Sequence, residues 1–307
     1  MGCGLNVPNR HHHVWGHYLS AWESNGKIFC RLRNGRSFTS APSNLAVKKH
    51  FYKLPELSRK DVGFLRLYAN SFELEHVRKF ANDTVDMYAR TSCLRHYCSE
   101  EIATDPALAK AIKDHDIQTE ENFHQRIEND AVKYIANLRN KNVDFWSCEK
   151  AAEAFSLFIS LQHTRTQKVQ SKVVLGFEEN ENSDQLKRLW PAMRMIFTYN
   201  LGASIFVERE RWQLKIFEAT GDRNFITGDQ PTQNLAAGIE HDDLAWFYPI
   251  SPRYALLMSL KSYENPIFNS KYLEDDQVNQ LNRGTYDYCH NQVFSRSSSD
   301  ILEVIDE

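Results

Sequence analysis

Hydrophobic residues follow two different spacings along the chain. Between residue 56 and about residue 210, apolar positions recur with the period of an α-helix. Helices are expected over about 60–70, 73–90, 99–112, 118–140, 149–172 and 184–200. Outside this stretch, short apolar runs alternate with polar residues, as in β-strands. The pattern predicts an α+β fold in which strands open and close the chain and helices fill the middle.

The N-terminal region is expected to contain a β-hairpin. Lys27–Leu32 has strand-like composition, Asn34-Gly35 is a two-residue hairpin turn signal, and Arg36–Thr39 returns as the second strand. The aromatic segment Phe51–Leu54 is interpreted either as a further short strand or as an anchor for the chain.

The C-terminal region is expected to form a small antiparallel sheet and a last helix. Trp212–Ile216 alternates with period two, and Asn224–Thr227 is expected to return beside it after a turn. Ala245–Ile250 and Tyr254–Met258 flank a second turn. The last helix is predicted from near Glu274 to near Gln292.

These regions are interpreted as one domain, although 307 residues would also suffice for two modest ones. The N-terminal hairpin module spans 1–54, the helical region 56–210, and the C-terminal sheet and helix 211–307. If the hairpin joins the C-terminal sheet, it closes a single compact domain.

Composition narrows the classes of partner. The net charge is −3, so no overall field draws the chain onto nucleic acid, although a local basic groove would still accept a nucleic-acid substrate. No apolar run reaches about 18 residues, so no membrane span is expected. Six scattered cysteines and the lack of a signal-peptide pattern favour a cytoplasmic location. A protein partner and a homo-oligomer are both compatible with this composition.

Three consecutive histidines, His11, His12 and His13, are the first candidates for chemistry. Imidazole suits general acid–base catalysis near neutral pH and metal binding. The alternative is a histidine cluster on the surface without function, or residues of cloning origin.

A polar pair lies on an apolar helix stripe in the predicted helix 149–172. Gln162 and Arg165 share the helical spacing of Phe155 and Phe158. Burying such a pair is costly unless its hydrogen bonds are satisfied. Two interpretations stay open: a structural network that fixes loop carbonyls, or an anion site, since guanidinium matches phosphate or carboxylate in bidentate fashion.

Asp229 follows the apolar run Asn224–Thr227 and a glycine. A carboxylate at a rigid strand end is well placed to bind a metal or to orient a histidine. The alternative is a turn in which Asp229 bonds neighbouring backbone groups.

The order of these motifs resembles that of the bacterial domain-of-unknown-function family 4238, over nearly the whole chain. The matching segments are His12–Trp22, Gly26–Leu32, Phe51-Tyr52, Leu161–Thr166, Phe225–Pro231, Pro249–Pro252 and Leu281-Asn282. Trp15 stands where the family has proline, and His12 matches the family histidine better than its neighbours do. The resemblance implies that His12, Arg165 and Asp229 converge, but it implies no settled function.

The leading hypothesis from the sequence is an enzyme that acts on a phosphodiester or similar anionic bond, a nuclease-like effector of bacterial defence. His12 would act as general base, Arg165 would stabilise transition-state charge, and Gln162 would position substrate or water. A divalent metal would bind His12, Asp229 and His11, with Asp229 as ligand or as the residue that orients histidine. The alternative is a non-enzymatic binding or regulatory module in which the same residues form a structural network.

Overall fold

Helices fill the middle of the chain and strands flank them, so the α+β prediction is confirmed. The computed structural model describes residues 10–49, 51–175, 183–236 and 244–306. Its helices are α1 Gly16–Leu19, α2 Arg59–Asn70, α3 Glu75–Tyr97, α4 Ser99–Thr104, α5 Pro106–Arg139, α6 Glu149–Thr164, α7 Gln167–Leu175, α8 Ser183–Val207, α9 Asp275–Tyr288 and α10 Ser298–Asp306. Its strands are β1 Arg10–His12, β2 Ile28–Leu32, β3 Ser37–Ser40, β4 Val47–Lys49, β5 Trp212–Ala219, β6 Thr227–Gly228, β7 Gln233–Asn234, β8 Ala245–Pro249, β9 Tyr254–Leu260, β10 Tyr272–Leu273 and β11 Gln292–Ser295.

The strands form three sheets. A larger one has the order β10-β5-β9-β8-β7, a second has the order β3-β2-β11-β6, and β1 pairs with β4. All pairs are antiparallel except β10 with β5. The N-terminal hairpin therefore does meet the C-terminal region, but it pairs with β11 and not with the larger sheet.

The helix boundaries follow local capping signals. Ser58 caps α2: its hydroxyl accepts from the Asp61 N–H at 3.2 Å, and the Asp61 carboxylate accepts from the Ser58 N–H at 2.9 Å. Asp105 caps α5 by accepting from two backbone N–H groups, and Pro106 occupies the first turn. The two helices predicted over 99–112 and 118–140 have the wrong boundaries. Residues 99–104 form the separate helix α4, and α5 runs from Pro106 to Arg139 because no further glycine or proline interrupts it.

Three predictions for the strands and the last helix are corrected. Asn224–Thr227 does not return beside β5, because both edges of β5 are occupied by β9 and β10. Phe51–Leu54 is not a strand; its Tyr52 is a buried anchor, in line with the second interpretation. The last predicted helix ends at Tyr288, and β11 and α10 follow it.

The core centres on α6, whose Phe155 and Phe158 are fully buried against α5 and the larger sheet. Helix α8 packs on the other side. Gly202 allows this close crossing, because a Cβ there would lie 2.9 Å from the Cα of Leu157. The tight packing holds the C-terminal end of α6 at a fixed position. Over the described ranges, the helices include none that is both long and apolar enough to cross a membrane.

Candidate functional site

Arg165 joins three parts of the chain at the C-terminal end of α6. Its Nη1 lies 2.7 Å from Oε1 of Glu128 on α5, and its Nε donates to the carbonyl of His13 at 3.3 Å. Only 1% of Arg165 is exposed. A buried guanidinium needs such partners, because an unpaired charge in the interior is strongly unfavourable.

His13 is the histidine that contacts Arg165, and its ring is buried. Burial, and secondarily the charge of Arg165, lowers the pKa of His13 from 6.5 to about 3, so the imidazole is neutral. Its backbone N–H donates to the carbonyl of Ala46 at 2.9 Å. Its Nδ1 has no hydrogen-bond partner among the residues that the structure describes.

His11 and His12 lie against Tyr52. The ring of His11 stacks on Tyr52 with centroids 5.3 Å apart, and its Nδ1 accepts from the Tyr52 N–H at 2.9 Å. His12 is half-buried, and its carbonyl accepts from the Tyr52 hydroxyl at 3.1 Å. The residue that the motif comparison singles out, His12, is thus next to the one that contacts Arg165.

Gln162 is fully buried one turn before Arg165, as the helix stripe predicts. Its amide lies close enough to Glu128 to favour the ionised carboxylate. Neither amide atom makes an aligned hydrogen bond to a described residue, and the same holds for Nη2 of Arg165 and the hydroxyl of Tyr248. Buried polar atoms normally form hydrogen bonds. These atoms can therefore still bond to a ligand or to an ordered water.

Glu128 is poised to exchange a proton near neutral pH. Burial raises its pKa from 4.5 to about 7, against the opposing charge of Arg165, and Glu121 raises it further. Its ion pair with Arg165 is close but not aligned as a hydrogen bond.

A second ion pair lies beside the first. Arg194 on α8 binds Glu120 on α5, with Nε 3.1 Å from Oε1. The Tyr88 hydroxyl donates to Glu120 at 3.4 Å, and His124 lies 3.6 Å from the same carboxylate. The ring of His124 also meets the edge of Tyr52 at 4.4 Å, which connects this pair to the histidine segment.

The acidic face of α5 was not predicted from the sequence. Glu120, His124 and Glu128 are spaced by four residues each, which places them on one face of a helix. They lie within the helix predicted over 118–140, so the spacing alone could have marked them.

Asp229 binds backbone groups. Its carboxylate accepts from the N–H groups of His290, Asn291 and Gln292 at 2.7, 2.8 and 2.9 Å. Burial raises the pKa of Asp229, while the three N–H donors act in the opposite direction. The carboxylate thus fixes the turn that leads into β11.

A chain of bonds connects this turn to His13. The side-chain oxygen of Gln292 accepts from the Ala46 N–H at 3.0 Å, and the Ala46 carbonyl accepts from the His13 N–H. On the other side, Gln230 contacts Thr166 just after Arg165. The three segments singled out in the sequence therefore meet, with Asp229 acting through the backbone.

The expected metal ligands are not gathered into one group. Within the described ranges, no three His, Cys, Asp or Glu side chains are arranged to hold a metal ion. His11 and Asp229 instead bind the backbone N–H groups described above. The divalent metal stays a prediction of the sequence analysis.

Gly228 allows the strand before Asp229 to approach the turn. A Cβ there would lie 2.9 Å from Cβ of Cys289 and 3.1 Å from the carbonyl of Gln292. We expect Gly228→Ala to lower the free energy of unfolding by about 1–3 kcal/mol, because the backbone around Cys289 and Gln292 must shift to make room for the added methyl group. Thermal unfolding measures the loss. Gly63→Ala is the matched control, since open space surrounds Gly63 in α2 and alanine favours a helix. Equal stability of Gly228→Ala and the unchanged protein would contradict the close-approach argument.

Comparisons with known proteins agree with the order of motifs. The profile of the family described as "Protein of unknown function (DUF4238)" matches residues 10–299. No match was found among the curated proteins or among the solved structures. The matched range contains the histidine segment, the end of α6 and the strand before Asp229. The chain therefore belongs to the DUF4238 family.

Proposed function

We propose that this protein is an enzyme that acts on a phosphodiester or a similarly anionic bond, with Arg165 and Glu128 at its centre. One observation carries the proposal. Nη2 of Arg165 is buried without a partner among the described residues, and the Gln162 amide makes no aligned hydrogen bond to any of them, beside a carboxyl whose pKa is about 7. Clusters of buried groups with shifted pKa values mark functional sites more often than chance.

Arg165 would bind the anionic group. Its Nη1 faces Glu128 and its Nε faces the His13 carbonyl, so Nη2 is the nitrogen available to a ligand oxygen. An ionised ligand gives such a bond about twice the strength of a neutral one. Gln162, one turn earlier, would donate its amide to a second oxygen. The neutral His13 imidazole adds no competing positive charge and would orient the bound group.

Glu128 would supply the proton. With a pKa of about 7, its carboxyl can carry a proton near neutral pH, which is the condition for efficient general acid catalysis. As water attacks phosphorus, the bond to the leaving oxygen breaks and that oxygen takes the Glu128 proton. The attacking water then returns a proton to the carboxylate, so the group ends each turnover as it began.

Burial restricts what reaches this centre. Because Gln162 is 0% exposed and Arg165 1%, a neighbouring element must move aside before a substrate group enters. A small ester is therefore the appropriate first probe.

The test is hydrolysis of the dinucleoside phosphate dTpdT, whose alkoxide leaving group needs a proton. We expect Glu128→Gln to lower kcat/KM at least about 100-fold, because the acid is lost while the shape is kept. Arg165→Lys is expected to lower it by a similar factor, because lysine cannot reproduce the planar fork. The activity of the unchanged protein should fall as pH rises above about 7, where Glu128 loses its proton.

Glu153→Gln is the matched control, since Glu153 is exposed on α6 and lies outside the cluster. It should retain full activity. Full activity of folded Glu128→Gln and Arg165→Lys would refute these roles, and absence of hydrolysis by the unchanged protein would refute the proposed reaction.

A non-enzymatic binding or regulatory module is the second candidate. It is favoured by Asp229, whose carboxylate serves the backbone, and by the two closed ion pairs along α5. In that case the same variants would change thermal stability, and the unchanged protein would have no hydrolysis to lose.

A further inference from the structure

Three cations surround the C-terminal end of α9, next to the candidate site. We propose that Arg33, Lys168 and Lys172, with Tyr286 and Tyr288, form a surface that binds the backbone of single-stranded nucleic acid. The inference rests on the proposed function, because it names a nucleic-acid strand as the anionic substrate.

The geometry places positive charge over two aromatic rings. Lys168 and Lys172 are one turn apart on α7, and their Nζ atoms lie 4.4 and 5.4 Å from the ring centroid of Tyr288. The Arg33 guanidinium, just after β2, lies 4.6 Å from the ring centroid of Tyr286. Both tyrosines are half-buried in the last turn of α9. The surface thus draws on three separate elements.

No acid of the described ranges forms an ion pair with these cations, although Arg66 and Arg95 elsewhere pair with aspartates. Lys168 has its pKa lowered by partial burial and then by the charge of Lys172, with a contribution from Arg33. Concentrated positive charge on a protein of net charge −3 attracts a polyanion locally.

The end of α9 explains part of this arrangement. Arg33 donates to the carbonyls of Tyr286 and Cys289, and Lys168 donates to the carbonyl of Asp287 at 3.5 Å. Helix C-termini attract cations in this way. Lys172 has no such bond to a described carbonyl, and its positive charge lies close to that of Lys168. The exposed Lys172 ammonium therefore keeps its N–H donors for a bound phosphate.

A single strand fits this surface better than a duplex. Aromatic rings beside cations are the pattern that binds successive bases and phosphates of single strands, and each base stacked on the open part of such a ring contributes about 1–3 kcal/mol. The surface also adjoins the site: Lys168 follows Arg165 by one turn of chain, and Asp229 binds the turn that begins at His290, two residues after Tyr288. A bound strand would therefore run past the candidate site.

Fluorescence anisotropy with a labelled oligothymidylate of about 20 nucleotides tests the proposal. We expect Lys168→Glu/Lys172→Glu to weaken binding at least about tenfold near 0.1 M salt, and to reduce the slope of log K against log salt by about 1 to 2. Tyr288→Leu should weaken binding about fivefold or more through lost stacking.

Lys79→Glu/Lys133→Glu is the matched control. It makes the same change of charge on exposed lysines, and Nζ of Lys133 also lies over a tyrosine ring, at 4.9 Å. Its affinity should stay close to that of the unchanged protein, because distant charges are screened. If the first double variant does not fold, Lys172→Gln at an exposed position should still reduce the slope by about 0.7.

Several results would overturn the inference. These are no binding by the unchanged protein, equal losses in the two double variants, or binding to phosphatidylserine vesicles in place of the oligonucleotide. Tight binding to a duplex that Tyr288→Leu leaves unchanged would overturn the single-strand assignment. Binding without hydrolysis of the small ester refutes the proposed function alone, and hydrolysis without binding refutes this inference alone.

Discussion

Asp229→Ala is expected to lower the free energy of unfolding by about 3 to 5 kcal/mol. The substitution leaves the N–H groups of His290, Asn291 and Gln292 without the carboxylate that accepts all three. A donor that stays buried without a partner costs about 1–3 kcal/mol. His290 and Asn291 are exposed, so water replaces part of their bonding and the expected total stays at about 3 to 5 kcal/mol.

Urea unfolding followed by circular dichroism measures this loss. Asp229→Asn should fall between the two proteins, because its amide keeps one acceptor but turns an N–H₂ group towards the remaining donors. Asp287→Ala is the control, an exposed aspartate in the same region that should change stability by no more than about 0.5 kcal/mol. A loss below about 1 kcal/mol for Asp229→Ala would show that the turn is held by other contacts.

Arg165→Met should destabilise the protein by about 3–5 kcal/mol at high pH, because it leaves the Glu128 carboxylate buried without its counter-charge. The effect depends on pH. The folded-state pKa of Glu128, about 7, is above the ordinary value of 4.5, so its proton stabilises the fold fully below about pH 4.5 and this contribution is lost as pH rises through about 7. Without Arg165 the carboxyl keeps its proton to higher pH, so the loss at pH 6 should be less than half of that at pH 8.5.

Thermal unfolding at the two pH values measures the difference. For a chain of this size, 1 kcal/mol corresponds to about 2–4 °C, so Tm should fall by about 6–20 °C at pH 8.5. The double variant Glu128→Gln/Arg165→Met should recover much of the loss, because no buried charge is left unpaired. Arg209→Met, which breaks a partly exposed pair with Glu149, is expected to cost no more than about 1 kcal/mol. An equal loss at both pH values would contradict the role of Glu128.

The local part of the fold could be predicted from the sequence, because its causes are local. Ser58 starts a helix through bonds to its own next turn, and Asn34-Gly35 reverses the chain between β2 and β3. The pairing of β2 with β11 could not be predicted. It depends on which edge stays open after the helices pack, and no short segment carries that information.

The candidate site could likewise be predicted only in part. Burial of Gln162 and Arg165 follows from the helix stripe, but the ion partner of Arg165 lies on α5, and contacts between distant helices leave no mark in either helix alone. The alternation of side chains along a strand could also have separated His12 from its two neighbours. Because side chains alternate along a strand, His11 and His13 share a face while His12 points the other way, and the structure buries the first two.

The position of β11 has a consequence for biosynthesis. β11 lies in the middle of its sheet, between β2 and β6, yet the ribosome makes it after both. At about 5–20 residues per second, the hairpin waits on the order of tens of seconds with the edge of β2 uncovered. Gln292, at the start of β11, also supplies the bond that reaches Ala46 beside His13. The nascent chain therefore completes the contacts of its histidine segment only after β11 has left the ribosome, and chaperones have that interval in which to shield the open edge.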